Sequence, residues 1–373
     1  MAFAYTPGLR VADIATVRKE RRLPLKGRVV VRVGDAVEAD TIVARTELPG
    51  NVRMINLANI LGVPPDDIFD LLFKKEGDPI AENEQIAQSK GLFGLFKNTV
   101  RSPITGSFES FNKITGQAVL REPPIPVTID AYVRGTVVDL LADEGVVVET
   151  RATFVQGIFG IGGETRGTIK AAVKSPEQEL TADLIDPSCS GRILIGGSFV
   201  SQQTLRKAIS AGVKGIVVGG FDDRDLKDFL GYDLGVAITG HEQKGITLVL
   251  TEGFGRMNMA RGTFDLLASR EGLAASINGA TQIRAGVIRP EIVIPVGSEV
   301  KAKAPDREQG ALDIGSPVRV IRAPYFGRLG RVTALPPELQ LLETEAKVRV
   351  LEVEFGDHER AVVPRANVEL IEE

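Results

Sequence analysis

KGIVVGGFDDRDLKDFL, residues Lys214–Leu230, reads as a strand, a turn and a helix in succession. Lys214–Val218 is a short aliphatic run, Gly219-Gly220 breaks it, and Asp222 stands where a helix N-cap belongs, opening a helix over Asp222–Leu230. The same rhythm continues on both sides. Arg192–Ile195 reads as a strand and Ser201–Ala211 as a helix with Leu205, Ala208 and Ile209 at apolar spacing. Gly235–Thr239 and Gly245–Leu250 read as strands, and Asn258–Arg270 as a helix stopped by Gly272. Strands alternating with helices predict an α/β layer, at least partly parallel, over residues 175–298.

Before it the pattern changes to short strands broken by glycine turns, over residues 27–174. An internal repeat lies there. Gly34-Asp35-Ala36-Val37 through Ile42-Val43-Ala44 matches Gly77-Asp78-Pro79-Ile80 through Gln85-Ile86-Ala87. Each copy reads as a Gly-Asp turn, an aliphatic residue two positions on, an acidic turn, then an aliphatic-Ala strand. Strands are also expected at 100–108, 116–121, 127–133, 135–141 and 146–153, and one or two short helices at 56–73. Gly91-Leu92-Phe93-Gly94-Leu95-Phe96-Lys97 sets Leu92, Phe93, Leu95 and Phe96 in a predicted loop. That loop reads either as a cover folded over its own β domain or as an apolar contact with a partner or membrane surface. Gly157–Gly163 has the same character and is expected to pack against it.

The chain has 373 residues and a mass of 40.0 kDa, enough for roughly two to four domains. At 43% hydrophobic and 25% charged residues it can bury real cores and is not a disordered chain. Its net charge of −4 argues against a whole-surface nucleic-acid binder. A single cysteine, Cys189, excludes an intrachain disulfide and a cysteine zinc cluster, which fits a reducing cytoplasm. Residues 1–26 carry Arg10, Arg18, Lys19, Arg21 and Arg22 without the apolar run of about 7–15 residues that a secretory signal needs. They read as a basic N-terminal arm, either a solvated tail or a contact with nucleic acid or an acidic partner. No stretch of about 18 apolar residues offers a membrane span. Residues 299–310 are charged and apolar-poor, as in a linker, and 311–373 form a second all-β unit.

Two resemblances attach to these segments. The Gly-Asp repeats and Ser102-Pro103-Ile104-Thr105-Gly106-Ser107-Phe108 resemble the barrel-sandwich hybrid fold of biotinyl and lipoyl carrier domains, found also within large RNA polymerase subunits. Lys97 and Lys113 lie in loops but lack the setting of a modifiable lysine, so the fold carries over and the cofactor does not. Gly315-Ser316-Pro317-Val318-Arg319-Val320-Ile321-Arg322-Ala323-Pro324-Tyr325-Phe326-Gly327-Arg328-Leu329-Gly330-Arg331-Val332 resembles the KOW motif of NusG-type elongation factors and some ribosomal proteins, a small SH3-like barrel. That resemblance implies binding to RNA polymerase, ribosome or RNA through Arg319, Arg322, Tyr325, Phe326, Arg328 and Arg331. Guanidinium groups answer phosphates and aromatic rings stack on bases. Acidic residues outnumber basic ones from Val296 onward, so such a contact is local. The central unit looks like a small Rossmann-like or swivelling layer. The expected fold is thus multidomain, β-rich plus α/β: a barrel-sandwich-like β domain, a central α/β layer domain and a C-terminal SH3-like barrel.

Motifs that carry chemistry are scarce. The sequence holds only His241 and His358, no His-Glu-x-x-His zinc signature, no phosphate-binding P-loop and no Gly-x-Ser-x-Gly elbow. No metal site, cofactor or catalytic residue is assigned. The expected strand ends of the α/β layer offer Ser198, Gly219, Gly220, Thr239, His241 and Glu242 as a pocket for a small anion, since ligands of open α/β sheets bind there. Glycines and caps serve such turns for structural reasons too. Cys189 has no base near it in sequence and reads as incidental. Three functions follow from the sequence: a non-enzymatic binding or scaffold protein of the transcription or translation machinery, an anion-binding or enzymatic α/β domain with docking β modules, and a self-assembling subunit.

Overall fold

The structure, a computed structural model, describes residues 9–90, 97–231, 244–281, 288–297, 312–322, 324–325, 327–341, 347–356 and 358–370. The chain begins with β1 (Val11–Arg22), β2 (Arg28–Val29), β3 (Ala36–Val37), β4 (Ile42–Leu48) and β5 (Val52–Asn56), then the short helix α1 (Leu57–Leu61). After two 3₁₀ turns come β6 (Pro79–Ile80), β7 (Gln85–Gln88), β8 (Thr99–Arg101), β9 (Gly106–Asn112), β10 (Gln117–Arg121), β11 (Ile125–Asp130) and β12 (Gly135–Leu141). The central part holds β13 (Gly145–Gln156), β14 (Phe159–Ile161), β15 (Glu164–Ala171), β16 (Arg192–Ile195), α2 (Gln202–Ser210), β17 (Gly215–Phe221) and α3 (Asp223–Leu230). It continues through β18 (Thr247–Phe254), α4 (Arg261–Ala268), β19 (Ala274–Asn278) and β20 (Glu291–Pro295). The last part is β21 (Pro317–Val320), β22 (Leu329–Ala334), β23 (Leu339–Leu341), β24 (Lys347–Phe355), β25 (Arg360–Pro364) and β26 (Val368–Leu370).

The α/β rhythm is present. β15, β16, β17 and β18 are parallel neighbours. Ser201 and Asp222 cap α2 and α3, accepting from the amides of Thr204 (3.2 Å) and Arg224 (2.9 Å). Ile216, Val217 and Val218 are fully buried, as a parallel strand covered on both faces requires. These strands do not form a sheet of their own. Among the described residues one eleven-stranded sheet runs β14-β18-β17-β16-β15-β19-β20-β13-β12-β3, with β1 on β13. It takes strands from both sides of the expected 174/175 boundary, because β13 and β15 find their partners in β20, β19 and β16. Gly157–Gly163 is part of it too. β14 pairs with β18, with Phe159 and Ile161 buried in the central core, while the 91–96 segment it was expected to meet lies outside the described residues.

The basic arm takes a different form from the one expected. Val11–Arg22 is a twelve-residue strand antiparallel to β13. Its cations meet carboxylates from other parts of the chain: Arg18 pairs with Glu149 (2.7 Å) directly across the ladder, Lys19 with Glu291 of β20, and Arg22 with Glu144 (2.8 Å) in the turn before β13. Arg21 turns inward, gripping both Glu164 oxygens at 2.6 and 2.7 Å and lying 5.2 Å over the buried Tyr132 ring. Tyr132 sits at φ +66°, a backbone that non-glycine residues seldom adopt, and burial pushes its phenol well above its ordinary pKa.

Smaller sheets follow the order β5-β10-β9-β6, β11-β4-β2 and β7-β8. The repeat is one structural unit used twice. Asp35 accepts the Arg32 amide at 2.8 Å and Asp78 the Lys75 amide at 2.7 Å, with Gly34 and Gly77 at φ +93° and +89°. The C-terminal sheet runs β23-β24-β22-β21-β26, with β25 on β24, over a core of Val318, Val320, Val332, Leu351, Val353 and Val368. The molecule is thus β-rich with several sheets. No described helix is long and apolar enough to cross a membrane. The Leu92, Phe93, Leu95 and Phe96 segment, the expected strand at 235–239 and the linker at 299–310 lie outside the described residues.

Candidate partner-binding surface

At the carboxyl ends of β16 and β17 the chain fills the place where a ligand of an open α/β sheet would sit. A Cβ added to Gly219 would lie 2.0 Å from the Met257 carbonyl oxygen, and one on Gly220 would lie 2.0 Å from that of Gly255. One on Gly197 would lie 2.2 Å from the Gln178 oxygen. These glycines let two passing segments, 175–178 and 255–259, cross in backbone contact. The Ser198 hydroxyl is buried and donates to Glu177 O (2.9 Å). Ser198, Gly219 and Gly220 therefore belong to a packed crossing and not to an open pocket. Thr239, His241 and Glu242 lie outside the described residues.

Glu252, at the end of β18, points toward the C-terminal sheet. β21 alternates, so Val318 and Val320 enter their own core and Arg319 projects from the opposite face. That face is covered by the central sheet. Arg319 is 3% exposed and pairs with Glu252 and with Glu369 (2.8 Å), while also donating to Thr251 O (3.0 Å). Glu369 takes a second cation, Arg289, at 3.0 Å, and Glu252 accepts the Ala260 amide at 3.0 Å. Charges this deep persist where ions and hydrogen bonds answer them together, and here both terminal guanidinium nitrogens of Arg319 are engaged while its buried Nε has no partner. Arg319 is consequently a clamp between two sheets and is not placed to meet a phosphate.

The other members of the predicted cluster lie nearer the surface. The Tyr325 ring packs on Phe355 with centroids 5.3 Å apart. The Arg328 guanidinium lies 4.0 Å over Phe355 and 5.7 Å over Tyr325, and bonds Glu359 at 2.6 Å. Phe254 and Met257 of the central unit face Arg328 and Phe355 across a shallow groove of about 310 Å³. Arg322 and Arg331 are exposed, and Arg331 also donates to Gly315 O (3.1 Å). Phe326 lies outside the described residues. The structure thus brings Tyr325 and Arg328 together with Phe254, Met257 and Phe355, none of which the sequence singled out. The one sequence clue to the clamp is a charged residue alternating with two valines.

Cys189 is buried, with the Lys170 ammonium 3.4 Å from its sulfur and 2.6 Å from Ser188 Oγ. Asp186, which accepts from the Ser188 hydroxyl and amide, is held below the ordinary carboxylate range and lies 3.7 Å from Lys170. The Lys170 amine is thus shared among Ser188, Cys189 and Asp186. No group of His, Cys, Asp and Glu among the described residues is arranged to hold a metal ion. The chain was compared with protein-family models and with curated proteins, and neither comparison found a match.

Proposed function

We infer that this chain is a non-enzymatic binding or scaffold protein that presents its C-terminal surface to RNA polymerase, ribosome or RNA. The observation that carries this reading is the Arg319 clamp. It ties the KOW-like sheet onto the large central sheet while leaving Arg322 exposed and Arg328 and Tyr325 half-buried at the surface. A cationic, aromatic edge on such a base suits a partner of opposite charge with planar groups. The gene-expression setting rests on the resemblance of Gly315–Val332 to the KOW motif.

Affinity capture from native lysate, with and without nuclease, tests the reading. Polymerase or ribosomal proteins, or RNA, are expected with the native chain and lost with R322A/R328A. Capture unchanged by that double variant, or no such partner at all, overturns the reading.

A further inference from the structure

A second surface, on the N-terminal sheet β11-β4-β2, carries its own signal. An open groove of about 640 Å³ runs along β2, lined by Arg28, Arg32 and Arg45 with Val30, Ile42 and Thr128. Arg28 and Arg45 are direct cross-strand partners, and Thr128 continues the row on β11. Like charges placed opposite one another in a ladder repel. Among the described residues no carboxylate pairs with any of the three arginines. Asp35, the acid closest to Arg32 in sequence, accepts the Arg32 amide. This contrasts with β1, where cation after cation finds an acid.

β2 is also an edge. Val30 donates its N–H to Val43 O (2.9 Å), so by antiparallel alternation Val29 turns its backbone groups outward, and Val31 follows in a bend. Their side chains pack on the core beneath, which holds the edge in place. The groove therefore offers three uncompensated guanidinium groups, an aliphatic floor and a free strand edge. Among the described residues no aromatic ring lines it, so they offer no stacking platform of the kind single-stranded nucleic acids use.

We propose that the β2 edge, with Arg28, Arg32 and Arg45, is a docking site for an extended acidic peptide segment of a partner protein, added to the sheet as a further strand. Carboxylates at alternate positions meet the arginines, and main-chain bonds to Val29 fix the register. The site is independent of the C-terminal surface.

Fluorescence anisotropy of a labelled peptide of five Glu-Val repeats on the full chain tests the proposal. The peptide is expected to bind, more weakly as salt rises, and at least tenfold more weakly to R28E/R45E. The same peptide with every backbone amide N-methylated is expected to lose at least tenfold on the native chain. Both substituted positions are exposed, and an unchanged thermal melt of R28E/R45E would establish that it folds. Absence of peptide binding, equal binding by the double variant, or equal binding of the methylated peptide overturns the proposal. Tighter binding of a decathymidylate overturns it in favour of nucleic acid.

Discussion

Arginines of the β21–β18 junction and those of the β2–β4 face differ in one respect. At the junction, Arg319 lies buried between Glu252 and Glu369, and the half-buried Arg289 adds a second cation to Glu369. On the N-terminal sheet, Arg28, Arg32 and Arg45 stand exposed, and among the described residues no acid pairs with them. A guanidinium buried among its carboxylates in the fold is structural. One that faces another guanidinium without a counter-ion costs the fold energy and awaits an anion from outside. Counting basic residues along the chain cannot separate the two kinds.

The comparison is broken most directly at Arg319. R319A leaves Glu252 and Glu369 buried short of their cation and is expected to cost about 3–5 kcal/mol in urea unfolding. A loss below about 1 kcal/mol would mean that water reaches the junction and the clamp is not closed. The opposite sign is expected on the N-terminal sheet. R45Q removes the cross-strand repulsion and is expected to leave stability unchanged or raise it by about 0.2–1 kcal/mol. A marked loss in the same unfolding experiment would show that Arg45 has a structural partner. The smallest effect lies on β24, in an intermediate case. Arg360, and after it His358, holds the exposed Glu354 carboxyl below its ordinary value of 4.5. A depressed carboxylate stabilises above its unfolded pKa, and that contribution fades as pH falls through its folded pKa. E354Q is therefore expected to flatten the decline of the melting temperature between roughly pH 5 and pH 3.

Local patterns were legible and long-range ones were not. Asp222 capping α3, Gly34 and Gly77 opening matched turns, and the parallel run β16-β17-β18 all follow from spacing within a few residues. β1 reads as part of a basic arm because Arg18, Lys19, Arg21 and Arg22 stand without an apolar run. Its strand character lies in Glu149, Glu291 and Glu164, each more than a hundred residues away. The pocket at Gly219 and Gly220 looked open because glycine before a helix is ambiguous between close ligand approach and close chain approach. The Met257 carbonyl decides between them. Arg319 was placed on the right strand, but its environment depends on which sheet covers the outer face of β21, and that is set by the whole chain.

The pairing of β1 with β13 also bears on how the chain is made. Arg22 and Glu144, joined by an ion pair, are separated by 122 positions. At translation speeds of ~5–20 residues per second, the first strand waits about 6–25 s for its partner to leave the ribosome. During that interval its clustered cations keep it soluble and discourage pairing with another nascent chain, as charged edges do. The ion pairs that later zip it into the sheet thus begin as a safeguard during synthesis. The closing of this ladder, between residues so far apart, is a late and slow event in folding.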